Sequence, residues 1–190
     1  MAADAQCRTV CAERSAKHKM PDQPLLLHYE RSASVHGAVD SVFAFLDHPK
    51  ALASHMSRSS LMMAGSHMAV EVDADGGSSV GSLICMSGSM MGISLDLKEI
   101  VTLHRAPYQK ILETIGTPNL KVIAHYRMGF ELTPRGDSPE LYVSIDYRLP
   151  ASGPGTWFYR LIGGIYTRWC VKRMVDDAVK AFQPAHQSAT

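Results

Sequence analysis

The stretch GTWFYRLIGGIYTRWCVKRMVDDAVKAF, residues 155–182, decides the fold. It reads as one helix of ~28 residues, ~40 Å long at 1.5 Å per residue. Its first half is apolar nearly all round, with Trp157, Phe158, Leu161, Ile162, Ile165, Tyr166 and Trp169. Its second half is amphipathic, with Val171, Val175, Ala178 and Phe182 set against Lys172, Arg173, Asp176, Asp177 and Lys180. Gln183-Pro184 stops it, because proline cannot continue the backbone ladder. A helix that is apolar all round has to be surrounded. The rest of the chain is therefore expected to wrap it.

Upstream of the loop at 150–156 the pattern changes period from helical to two. Leu141, Val143, Ile145, Tyr147 and Leu149 form one face of a last strand. The clearest strand is Leu120–Leu132. Leu120, Val122, Ala124, Tyr126, Met128, Phe130 and Leu132 take one face, and Lys121, Ile123, His125, Arg127, Gly129 and Glu131 the other. Tyr108–Ile115 is a further strand, with Gly116-Thr117-Pro118-Asn119 expected as the turn after it. Ile93, Leu95, Leu97, Glu99, Val101 and Leu103 line a long strand that Ala106-Pro107 ends. Val80–Met90 precedes it. Ala74-Asp75-Gly76-Gly77-Ser78 is a hairpin signal after alternating Met68, Val70 and Val72. Leu25–Val35 reads as the first strand. Asp40 caps or opens a short helix bearing Val39, Val42, Phe43 and Leu46, and Lys50–Met56 reads as a second short helix beyond His48-Pro49. The expected class is α+β, of helix-grip type. A curved antiparallel sheet of six to seven strands surrounds a long C-terminal helix, with two short helices after the first strand.

The chain has 190 residues and is 46% hydrophobic, which suits one domain with a substantial core. Residues 25–183 are read as that domain, 1–24 as a flexible extension and 184–190 as a tail; Met20 is an alternative start. A net charge of +1, from 19 Lys+Arg and 18 Asp+Glu, gives no field that would favour nucleic acid. The four cysteines, Cys7, Cys11, Cys85 and Cys170, form no CxxC pair, and Cys85 and Cys170 read as small buried apolar residues of a reduced, cytoplasmic chain. The nine histidines show no HExxH spacing, so neither a metal nor another cofactor is expected. No run of ~18 apolar residues marks a spanning helix. Gly76-Gly77 lacks the Lys-Ser/Thr ending of a phosphate loop, and Ser87-Gly-Ser89 lacks the GxSxG elbow.

Four local features resemble the START-like, or SRPBCC, superfamily, which includes Bet v 1-type proteins and the polyketide cyclase/dehydrase group. One is the opening strand and helix from Arg31 to Pro49. The others are the Asp75-Gly76-Gly77 hairpin, the strand ending Leu103-His-Arg-Ala-Pro-Tyr108, and the C-terminal helix. The resemblance spans roughly Leu25 to Phe182. It implies a cavity between sheet and helix, and leaves the reaction open.

On this reading the cavity is lined by Glu99, Val101, Tyr126, Met128, Tyr147, Phe158, Ile162, Ile165 and Trp169. No residue is assigned a catalytic role. Glu99 is the anomaly, a carboxylate on an apolar face. Burial would raise its pKa and fit it for proton transfer, whereas a bulge after Leu97 would return it to solvent, as Ile100 hints. Glu113, between Ile111 and Ile115, has the same ambiguity. Tyr126 and Tyr147 offer hydroxyls to a ligand, or pack with their hydroxyls satisfied internally. His55 and His67 flank a segment at the expected cavity mouth, where a histidine is either a base or simply a surface residue. Methionines such as Met86 and Met128 suit a pliable pocket and an ordinary core alike. Gly163-Gly164 in the long helix marks either a close approach or a bend.

The expected function is binding of a small hydrophobic molecule, such as a lipid, quinone, polyketide-like or aromatic metabolite, without catalysis. The alternative is a cyclase or dehydratase acting on such a ligand by acid/base chemistry through Glu99. A transient membrane contact through Trp157 and Phe158 is a third expectation.

Overall fold

The computed structural model describes residues 27–49, 67–90, 93–119, 123–149 and 156–183. The chain forms β1 (Leu27–Ser34), α1 (Val39–Asp47), β2 (His67–Val72), β3 (Leu83–Met90), β4 (Ile93–Arg105), β5 (Gln109–Asn119), β6 (His125–Thr133), β7 (Glu140–Arg148) and α2 (Thr156–Ala181). The extension 1–24, the helix expected at Lys50–Met56, His55 and the tail lie outside the described residues, as do the side chains of His67, Trp157 and Phe158.

The seven strands make one antiparallel sheet in the order β1-β7-β6-β5-β4-β3-β2. β2 to β7 are a meander, and β1 joins at the far side by pairing with β7, Leu27 opposite Tyr147 and Ser34 opposite Glu140. The alternation read from the sequence sets the faces. Leu141, Val143, Ile145 and Tyr147 of β7 are buried with Tyr126, Phe130 and Leu132 of β6, while Tyr142, Arg127 and Glu131 face out. Each large aliphatic side chain so enclosed contributes ~1.5–3 kcal/mol.

α2 lies against this inner face, contacting β1 and β7. Its buried stripe is Gly163, Tyr166, Thr167, Cys170, Val171, Met174, Val175 and Ala178, at the three- and four-residue spacing of a single helix face. Thr167 donates its hydroxyl to the Gly163 carbonyl at 2.8 Å, which allows a polar residue within the stripe. The expectation of a helix enclosed on all sides is corrected here. Leu161 is 58% and Ile165 51% exposed, on the face turned away from the sheet. The sheet covers one side of α2, so Ile165 does not line the interior.

α1 opens on Ala38, whose carbonyl accepts from Ser41 and Val42, and no side chain caps it. Asp40 instead sits in the first turn, where its charge meets the positive end of the helix. Phe45 of α1 meets Phe182 edge-on, with ring centroids 5.7 Å apart, which ties α1 to the end of α2.

Three strand details depart from expectation. β5 runs on to Asn119. Asp96 pairs with Asn119 and Lys98 with Ile115, so the segment from Gly116 to Pro118, expected as part of a turn, is a bulge within the strand. Gly116 takes φ +71° there, a conformation that glycine reaches without cost. β6 begins at His125, and Ile123, expected on the polar face, is buried just ahead of it. Finally, β5 turns Lys110, Leu112 and Thr114 inward, and Glu113, though also buried, belongs to the opposite face.

Candidate functional site

Glu99 decides the site. β3 and β4 pair without interruption from Leu83–Ile100 to Met90–Ile93, so the alternation through Leu97, Glu99 and Val101 is unbroken. Against β5 the ladder slips twice, between Asp96 and Lys98, where the extra residues belong to β5, and between Val101 and Leu103, where Thr102 is the extra residue of β4. Glu99 therefore points inward and is 1% exposed, flanked by Leu97 and Val101 and opposite Ile84.

β6 supplies its partner. The β5–β6 ladder ends at Glu113–Arg127. One step on, the Thr114 hydroxyl bonds the Tyr126 backbone, accepting from its N–H at 3.0 Å and donating to its carbonyl at 3.2 Å. Thr114 is itself the register partner of Glu99 on β4. Tyr126 is thus held one strand further along, and its hydroxyl donates to Oε1 of Glu99 in a short hydrogen bond.

Burial dominates the protonation of this pair. It pushes the Glu99 carboxyl from 4.5 up to about 7, against the Tyr126 hydrogen bond and the positive charge of Lys110, which both pull downward. Burial, then the neighbouring Glu99, holds the Tyr126 phenol well above its ordinary 10. α2 completes the cluster with Tyr166 and Cys170, which share a hydrogen bond. Burial pushes the Cys170 thiol up to about 12 and the Tyr166 phenol well above its usual value. Trp169 stacks on Tyr166, with ring centroids 6.1 Å apart. Near neutral pH the phenols and the thiol are uncharged, and Glu99 is close to half ionised. A carboxyl so balanced can give or take a proton.

A second buried group stands beside the first. Lys110 of β5 is fully buried, and its ammonium donates to the Asp47 carboxylate at 2.5 Å and to the Asp47 carbonyl at 2.8 Å. Asp47 ends α1, so the cation meets both a carboxylate and the negative end of a helix. The His104 ring sits 3.0 Å from the same carboxylate, and Phe43 packs edge-on against it. Burial raises the Asp47 carboxyl, but Lys110 and His104 outweigh it and hold the group below 3.8. This cluster fastens α1 across β4 and β5 and occupies the Lys110 charge.

Of the residues expected to line the interior, Glu99, Val101, Tyr126 and Tyr147 are buried on the inner face, and Met128, Ile162 and Trp169 are partly buried against the core. The Tyr147 hydroxyl reaches toward α2 at Gly164, where an added Cβ would lie 3.9 Å from it. Phe158 is outside the described side chains, and Ile165 faces solvent. Glu113, the other ambiguous acid, is on the outer face. It takes a hydrogen bond from Thr102 at 3.1 Å and lies 3.5 Å from Arg127. It cannot meet Glu99, because Glu99 pairs with Thr114 and Glu113 with Ile100. His125 is half-buried, and burial lowers its pKa below 6.5.

Sequence reasoning missed Lys110, Asp47, Tyr166 and Cys170 as polar partners. The only signal for Lys110 was its two-residue spacing from Leu112. A depression of about 280 Å³ on the outer face, around Gly129 and lined by Glu30, Glu131, Tyr142 and Ser144, is separate from all of these groups. Among the described residues no helix is long and apolar enough to cross a membrane.

No family model matches the sequence, and no curated protein does. Solved structures do. Norcoclaurine synthase from Thalictrum flavum superposes with a TM-score of 0.59 at 19% identity, over 85% of this chain and 97% of that one. Protein Ms6760 from Mycobacterium smegmatis gives 0.58 at 11% identity, over 90% and 99%. Ara h 8.0201 gives 0.55 at 8% identity, over 81% and 98%. The chain has the same helix-grip fold as these structures. At these identities the likeness concerns the fold.

Proposed function

We propose that this protein binds a small, largely hydrophobic molecule between the inner face of the sheet and α2. The observation that carries the reading is the Glu99–Tyr126 pair, with Tyr166 and Cys170 beside it, set among apolar side chains. A buried carboxyl with no ion-pair partner among the described residues costs stability, and a core built for stability alone would replace it with an apolar residue. A few convergent polar groups on an apolar wall are the usual make-up of a small-molecule site. Native mass spectrometry of gently purified protein tests this reading. The expected result is a co-purified small molecule, or uptake from a panel of lipids, quinones and aromatic compounds. No bound species and no uptake across the panel would remove it.

A second reading is favoured by one observation, the Glu99 carboxyl lifted to about 7. In this reading Glu99 moves a proton on a bound substrate while Tyr126 steadies the charge, as in a cyclase or dehydratase. That one structural neighbour is named a synthase agrees with a fold able to carry chemistry. The test is turnover of a candidate substrate by Glu99→Gln. An unchanged rate takes Glu99 out of the mechanism.

A further inference from the structure

We infer that the interior site selects its ligand by the charge of the polar end, taking an amphiphile that carries a protonated amine in preference to one carrying a carboxylate, with Glu99 as the selecting residue. This inference rests on the binding reading above and deepens it.

Among the described residues, the inner face places one acid, Glu99, beside the Tyr126, Tyr166 and Cys170 cluster and no free cation to balance an anionic ligand. Lys110 is the buried cation nearest in chemistry, but Asp47 holds it through both carboxylate and carbonyl. Tyr126, Tyr166 and Cys170 add only neutral groups at physiological pH. A carboxylate brought to this site meets the Glu99 carboxyl and, with Lys110 already held by Asp47, finds no free counter-charge among the described residues, and in a low-dielectric interior that repulsion is poorly screened. A protonated amine meets the reverse. It can donate to Glu99, while Tyr126 continues to donate to Oε1, so the carboxylate keeps a second hydrogen bond. Buried ion pairs form favourably when such extra bonds satisfy the remaining lone pairs. Glu99 also lacks any ion-pair partner of its own among the described residues, so the amine displaces nothing.

The experiment compares decylamine, decanol and decanoate, identical in chain and different in headgroup, by calorimetry below their aggregation limits on the full chain. The expected order is amine, then alcohol, then acid, with amine over acid by about tenfold or more, the equivalent of ~1.4 kcal/mol. Glu99→Gln is expected to bring amine and acid to within about threefold, since the amide has the shape and lacks the charge. Should that variant not fold, the wild-type ranking alone decides. Decanoate binding as tightly as decylamine overturns the inference and leaves the binding reading standing, as does equal binding of amine and alcohol. Failure of all three to bind overturns this inference, while the binding reading is decided separately by co-purification and the panel of lipids, quinones and aromatic compounds.

Discussion

Replacing Glu99 by glutamine should change how stability depends on pH, by an amount that follows from the site. The carboxyl titrates at 4.5 when exposed and at about 7 when folded. Between those values the unfolded chain has released a proton that the native protein still holds. Stability therefore falls as pH rises, beginning near 4.5 and levelling off once the folded pKa has been passed. The difference between the two values corresponds to about 3 kcal/mol. Glutamine has the shape of the protonated acid and can still accept from Tyr126, but it does not titrate. Urea unfolding of both proteins at pH 4.5 and pH 8 reads the effect. The stability of Glu99→Gln relative to wild type should improve by about 3 kcal/mol between the two. Other titrating groups drop out of this comparison. Asp47, whose pKa lies below 3.8, loses its contribution only at lower pH, and His28, raised mainly by its hydrogen bond to Asp146, is the same in both proteins. A relative stability constant to within about 0.5 kcal/mol across this range would show that Glu99 is not buried as described.

Three further substitutions probe the same frame. Lys110→Met leaves Asp47 without its cation and should cost about 3 kcal/mol in urea unfolding, part of which Asp47→Asn restores in the double variant; additive losses would deny the coupling. Tyr126→Phe removes the hydrogen bond that pulls the Glu99 carboxyl down, so a carbon-13 titration of Glu99 should move above 7 while stability falls by about 1 kcal/mol; a titration that moves lower contradicts the pairing. Gly129→Ala would place a Cβ 2.8 Å from the Lys110 carbonyl oxygen and 3.1 Å from Ile111, forcing β5 and β6 apart at a cost of about 1–3 kcal/mol, and a neutral effect on the melting temperature would mean that the strands are not so close.

The fold was legible because its signals are local. Period two in residues 126–132 and 141–147 and the glycine hairpin at Gly76-Gly77 each specify their element without distant help. Glu99 was legible for the same reason, since Leu97 and Val101 bracket it on one face. The competing hint from Ile100 misled because the slip between Asp96 and Lys98 puts its extra residues in β5, and β4's own extra residue, Thr102, comes after Val101. Gly116-Thr117-Pro118 could not be resolved from sequence, because a glycine at positive φ serves a bulge as well as a turn. The apolar first half of α2 suggested enclosure, yet a helix against a single sheet leaves one side uncovered, and Leu161 and Ile165 occupy it. The Lys110–Asp47 contact depends on where the end of α1 comes to rest above β5, a tertiary outcome with no local trace.

The pairing of β1 with β7 has a consequence for assembly. Every other pair in the sheet joins neighbours along the chain, which hairpins can zip in microseconds, whereas β1 must wait for a partner whose residue 147 lies opposite its residue 27. β1 leaves the ribosome before the other six strands of the sheet and is yet among the last to find its place. Until it does, β7 presents an unpaired border whose Leu141, Val143 and Ile145 invite a foreign strand. Aggregation during synthesis should track the arrival of that one strand more closely than the final stability of the protein.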